Sequence, residues 1–147
     1  MKTFITTTEK ETFALAKKFA RSLKGNEAIA LTGELGSGKT VFIKGIAKSL
    51  DIKEHIISPT FNIMKIYNIP YSMFHLRHHK LCHIDAYRLN SSEDLTSLGI
   101  TNYLSDDKTI TIIEWAEKVK NLLPRNTIYI NFKVNKSKRA ITVSQKI

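Results

Sequence analysis

The stretch "AIALTGELGSGKTVFIKGIAKSL", residues 28–50, passes from a short apolar segment through a glycine-rich turn into an apolar helical pattern. Inside it, Gly33-Glu34-Leu35-Gly36-Ser37-Gly38-Lys39-Thr40 matches G-x-x-x-x-G-K-[ST]. These residue types suit an anion nest. Glycines let the backbone turn with its N–H groups inward, the lysine reaches β- and γ-phosphates, and the threonine hydroxyl is placed to ligate Mg²⁺. Ala28–Leu31 reads as a buried strand, and Val41–Leu50 as a helix with Ile43, Ile46, Ala47 and Leu50 on one face. Strand, glycine turn and helix in that order predict a site for a nucleoside triphosphate with Mg²⁺, bound through Gly33, Gly36, Ser37, Gly38, Lys39 and Thr40. The chain has no N-K-x-D stretch of the kind a guanine-specific protein would carry, so ATP is the expected nucleotide.

Working outward, Thr8 and Glu11 form a capping-box pattern ahead of Phe13, Ala16, Ala20 and Leu23, which predicts an amphipathic helix over 9–23 ended by Gly25. After Ser58-Pro59, the run Phe61–Tyr67 reads as a strand with Phe61, Ile63 and Tyr67 on one side and Met64 and Ile66 on the other. Leu81–Ala86 is a further strand, and Ser91–Leu98 a short helix opened by Ser-x-x-Asp. Thr109–Ile113 is the clearest β-branched run. Thr127–Val134 and Ala140–Val143 suggest a terminal hairpin joined by Asn135–Lys138. Strand–helix units mixed with hairpin neighbours imply an α/β fold in one domain over 1–147. The expected architecture is a P-loop NTPase-like three-layer sandwich with a mixed parallel and antiparallel sheet.

A metal beside a triphosphate needs an acidic group at the end of a buried strand. Glu114 follows Thr109–Ile113 and Asp85 follows Leu81–Ile84. Glu114 looks like the metal-side acid, while Asp85 could support it or orient the attacking water. Thr60, in Ser58-Pro59-Thr60, sits where a switch-like segment would sense the γ-phosphate. Tyr87-Arg88 could bring a guanidinium to phosphate or pair it with Asp85. His75, His78, His79, Cys82 and His83 crowd a short stretch, but their spacing matches no zinc pattern. A solvated basic loop is the expectation there, with His83 beside the site.

The chain has 147 residues, of which 42% are hydrophobic, and no run long enough to span a bilayer. Its start does not resemble a signal peptide, and a lone Cys82 leaves no internal disulfide, so a reducing cytoplasm is expected. Net charge is +10, and Lys118–Ile147 holds eight Lys/Arg and no acid. Such an end could face phosphate-rich partners or be a lysine-rich solvated surface.

"LTGELGSGKTVFIKGIA", "SPTFNIMKIY", "HIDAYRL", "LGITNYL" and "IIEWAEKVKNLLP", followed by a basic hairpin, occur in an order that resembles the TsaE (YjeE) family over nearly the whole chain. His83-x-Asp85-x-Tyr87-Arg88 and Glu114-Trp115 are the pieces that generic phosphate-loop kinases lack. The resemblance implies a small ATPase of tRNA threonylcarbamoyladenosine synthesis working with TsaD and TsaB partners. In that family ATP binding and hydrolysis drive repeated rounds of modification at adenosine 37. It further implies that Thr40 and Glu114 hold Mg²⁺, that Asp85 and Thr60 support hydrolysis, that Trp115 is needed for activity, and that Glu9 and Arg139 contact nucleotide. tRNA is then met through the complex, or directly by the basic C-terminal region. Ala116 stands where the family usually has proline, and residues 68–80 exceed the family's usual connection. The alternatives are a small P-loop kinase, or a nucleotide-gated RNA-binding module.

Overall fold

The computed structural model describes residues 1–70 and 79–145. Its strands are β1 (Lys2–Thr6), β2 (Ala28–Gly33), β3 (Met64–Asn68), β4 (Lys80–Asp85), β5 (Thr109–Glu114), β6 (Ile128–Asn135) and β7 (Lys138–Gln145). They form one sheet of order β1-β7-β6-β2-β5-β4-β3. The centre, β6-β2-β5-β4, is parallel, and both margins are antiparallel. The mixed sheet expected from the sequence is therefore present. Among the described residues no helix is long and apolar enough to cross a membrane.

Strand alternation sorts side chains into two cores. Ile29, Leu31, Ile110, Ile112, Ile130 and Phe132 point to one face, where α1 (Glu9–Ala20) and α2 (Lys39–Ser49) cover them. Ala30, Cys82, Ile84 and Ile113 point to the other, under α3 (Ser92–Ser97), α4 (Ile100–Leu104) and a 3₁₀ helix over Ala116–Leu122. Helices on both faces complete the three layers. Phe42 of α2 seals the first core, its ring 5.7 Å from Phe19 and 5.6 Å from Phe132. Burial of such a ring contributes about 2 kcal/mol.

Local chemistry explains most boundaries. Thr8 caps α1 by accepting from the Glu11 N–H at 3.1 Å, while Glu11 accepts from the Thr7 N–H at 2.6 Å. α1 ends at Ala20, short of the expected Leu23, because the Ser22 and Leu23 N–H groups turn back to Phe19 and Ala20. Helices α1 and α2 lie very close: a Cβ on Gly45 would stand 2.6 Å from both Ala16 Cβ and the Phe13 carbonyl oxygen.

Two expectations need correction. The strand read from Phe61 begins only at Met64; Phe61 is 83% exposed and lies in a turn, and Ile63 adopts a left-handed conformation at φ 65°. That turn closes through the Ile63 N–H to the Pro59 carbonyl at 2.6 Å, a local bond that replaces strand pairing. The sequence reading also lacked β1, an edge strand whose register is set only by β7. The 68–80 connection lies partly outside the described residues, as do His75 and His78.

Candidate active site

The carboxyl ends of β2, β4 and β5 meet at one edge of the sheet, the place where open α/β sheets bind ligands. Leu31 and Asp85 are both paired with Glu114, so the glycine turn after β2 and the two acids share one level. A cleft of about 320 Å³ opens there, lined by Glu9, Gly36–Thr40, Ser58, Thr60, Asp85, Glu114 and Trp115 among others.

The turn needs its glycines. Gly33 has φ 138°, and a Cβ there would stand 2.5 Å from the Phe132 carbonyl oxygen in the neighbouring strand. Gly38 caps α2 at φ 103°. Lys39, only 4% exposed, curls back on the turn: Nζ donates to the carbonyl oxygens of Gly33 at 2.7 Å and Glu34 at 2.8 Å. It also lies 4.3 Å from the Trp115 ring centre, a cation–π contact. Burial lowers its pKa, and the charges of Glu114, Glu117 and Asp85 oppose that shift.

The two acids sit in a net of hydroxyl donors. Thr40 Oγ1 donates to Glu114 Oε2 at 3.2 Å. Ser58 Oγ lies 2.6 Å from Asp85 Oδ2 and 3.0 Å from Glu114 Oε1, bridging the pair, and Thr60 Oγ1 donates to Asp85 Oδ2 at 2.9 Å. The Tyr87 N–H holds the other Asp85 oxygen at 2.9 Å. Fully buried His83 places Nε2 2.8 Å from Glu114 Oε1. A carboxylate only accepts, so Nε2 carries the proton in this contact, and the buried Nδ1 has no hydrogen-bond partner among the described residues.

Trp115 follows directly at φ 58°, a left-handed conformation uncommon for a bulky residue. It turns the chain from β5 into the 3₁₀ helix and lays the indole beside Lys39 and Tyr87, whose ring centre is 5.0 Å away. The turn forms with Ala116 as the first residue of the 3₁₀ helix.

The structure thus brings Glu9, Lys39, Thr40, Thr60, Asp85, Glu114 and Trp115 around one cleft together with Gly36, Ser37 and Gly38. Gly33 sits behind the turn. Arg139 is outside the cleft lining: its Cδ packs against Gly38 and its buried Nε has no hydrogen-bond partner among the described residues. Arg88 neither reaches the cleft nor pairs with Asp85; its guanidinium stacks 4.3 Å from the Phe61 ring centre. Cys82 and His83 face opposite sides of β4, and His79 lies against Gly25, so these do not converge. His83 was expected only beside the site, with no partner named, and Ser58 only as part of the segment carrying Thr60. Ser58 had a signal in its place two residues before Thr60, and His83 in its place two residues before Asp85 on the same strand face.

A thiol-free, all-oxygen donor set of one hydroxyl and two carboxylates suits a hard divalent cation such as Mg²⁺. Sheet and helices together define an α/β protein with a mixed sheet, its glycine turn and acids gathered at one sheet edge. The family model described as "Threonylcarbamoyl adenosine biosynthesis protein TsaE" matches residues 6–141. The chain belongs to the TsaE family. It is 41% identical over 131 residues to the tRNA threonylcarbamoyladenosine biosynthesis protein TsaE of Rickettsia bellii, covering 88% of this chain and 85% of that one. The TsaE of Bacillus subtilis is 36% identical over 132 residues, covering 87% and 75%. The crystal structure of Bacillus subtilis YdiB superposes with a TM-score of 0.80 at 30% identity, covering 99% of this chain and 86% of that chain.

Proposed function

We propose that this protein binds and hydrolyses ATP with Mg²⁺ in the formation of threonylcarbamoyladenosine in tRNA. Its partners in this reading are TsaD- and TsaB-like proteins, and its place is the cytoplasm. The observation that carries the proposal is the convergence of Thr40, Asp85 and Glu114 over a glycine turn at the ends of three parallel strands.

In this reading the inward N–H groups of Gly36–Thr40 and the Lys39 ammonium hold the β- and γ-phosphates, and Thr40 and Glu114 hold the metal. The Mg²⁺ supplies charge neutralisation at the phosphates. Lys39 exchanges its bonds to the Gly33 and Glu34 carbonyls for phosphate oxygens, and Trp115 keeps its ammonium at the cleft. Asp85, held by Ser58 and the Tyr87 N–H, accepts from and orients the attacking water. Thr60 is free to leave Asp85 for the γ-phosphate, so the 58–63 turn reports the presence of triphosphate to a partner. Repeated rounds of modification then follow cycles of ordering and release.

The test is ATP hydrolysis by the protein alone and with a TsaB–TsaD pair, using Lys39→Ala and Glu114→Ala as controls. Hydrolysis that rises with the pair and disappears in both variants is expected. A Lys39→Ala protein that still supports multiple turnovers of tRNA modification refutes the reading. Phosphate transfer to a small acceptor hydroxyl, with no release to water, points instead to a kinase.

A further inference from the structure

The outer surface of the α1–α2 layer carries charge that the cleft does not use. The acids of these helices, Glu9 and Glu11, are confined to the first turn of α1, and α2 has none. One cleft between the helices, of about 440 Å³, is lined by Lys17, Arg21 and Lys48. Lys48 also lines a second, with Lys44, Lys53 and His55, so the two join into one track. Asp51 is already paired with Lys53, which leaves Glu54 as the one acid lining the track among the described residues. Among the described residues, Lys17, Arg21, Lys44 and Lys48 have no carboxylate partner.

We propose that this track binds the phosphate backbone of RNA. Cations on each helix recur at i, i+4 (Lys17 and Arg21, Lys44 and Lys48), a rise of about 6 Å that suits a row of successive phosphates. Protein interfaces are depleted in lysine and built around exposed apolar anchors. Here, among the described residues, the large exposed apolar side chains are Met1, Ile5, Leu35, Ile57, Phe61, Tyr87, Leu98 and Val134, and none is on α1 or α2. A face of cations without aromatic platforms contacts phosphates and does not read bases. Both helices start at the ATP cleft and end at the track: Thr12 neighbours Gly38, and Ser49 Oγ donates to the Lys17 carbonyl at 3.2 Å. Lys17 and Lys48 lie in the last turns of their helices, where the macrodipole favours cations, and Lys44 lies one turn earlier in α2. The basic hairpin also offers Lys133, Lys136 and Lys138 as exposed side chains.

Full-length protein is titrated against a fluorescein-labelled tRNA transcript over a series of salt concentrations, with polyglutamate as a second polyanion. The expected result is salt-dependent binding that falls at least tenfold in K17E/R21E/K48E, with a log–log salt slope flatter by about 2. K133E/K138E binds as the parent does. K17Q/K48Q removes charge without adding any and carries the same test should the glutamate variant fold poorly. ATP hydrolysis is unchanged in the track variants, so the outcome is independent of the reading of the cleft. Parent-like binding by the track variants overturns the proposal. Loss in the hairpin variant alone moves the contact to the C-terminal strands, and tighter binding of polyglutamate than of tRNA assigns the track to an acidic protein instead.

Discussion

Two glycines of the phosphate turn separate the cost of backbone strain from the cost of space. Gly33 and Gly36 both have positive φ, 138° and 73°, yet an added Cβ meets the Phe132 carbonyl oxygen at 2.5 Å and Phe132 Cβ at 2.9 Å in the first case and nothing within 4 Å in the second. Gly36→Ala therefore bears only left-handed strain, about 1 kcal/mol. Gly33→Ala bears a φ that side chains rarely adopt, about 2 kcal/mol, and overpacking against a neighbouring backbone that cannot move without breaking the β2–β6 ladder, about 2 kcal/mol more. The sum, about 4 kcal/mol, is a large share of the roughly 5–15 kcal/mol that stabilises a domain. At about 3 °C per kcal/mol, the melting midpoint falls by about 12 °C for Gly33→Ala and about 3 °C for Gly36→Ala. Urea titration of both variants, with unchanged m-values, measures the difference directly. Equal losses in the two variants would falsify the argument, because they would mean that the approach of Phe132 is relieved at little cost.

Burial pushes the Cys82 thiol up to about 12, so the folded protein should resist a thiol reagent at pH 8 and react fully once denatured; stoichiometric labelling of the native state refutes this. The Thr7 backbone and hydroxyl bonds hold the Glu11 carboxyl below its ordinary 4.5. Its stability contribution is present above the unfolded value and lost as pH falls through the lower folded one, so Glu11→Gln should lower the melting temperature most at neutral pH, with the two profiles converging as pH falls below about 4.5. Ser58→Ala removes the donor between Asp85 and Glu114 and should destabilise the metal-free protein by about 1–3 kcal/mol. Mg²⁺ with ATP should restore much of that loss if the two acids face a cation; calorimetric melting with and without them reads the difference.

Much of this architecture is legible in local sequence. Capping residues at Thr8 and Ser91, the β-branched run before Glu114 and the glycine turn each reveal their conformation within a few residues, because the bonds that fix them are local. Other features depend on distant partners. β1 is short and half exposed, and only its pairing with β7 across the whole chain makes it a strand. Phe61-Asn62-Ile63 has strand propensity, yet the turn there delivers Ser58 and Thr60 to Asp85, and tertiary hydrogen bonds outweigh that propensity. The acids themselves could be found as strand ends. Their ties to Ser58 and His83 could not, since nothing in the spacing of residues 58, 83 and 114 shows that their side chains meet. Arg139 is tied to nucleotide only by the family resemblance, since nothing in its local sequence singles it out; its Cδ lies against Gly38 at the start of α2.

The contact between Gly45 and Ala16 makes the two helices of the first layer a single mechanical body. At Gly45 the α2 backbone rests directly on the Ala16 methyl and the Phe13 carbonyl, so a shift of the phosphate turn at the start of α2 carries α1 with it. Drift in sequence is then unequal across this layer: its outward lysines can be exchanged one at a time, whereas a methyl gained at position 45 requires the pair of helices to part along its whole length.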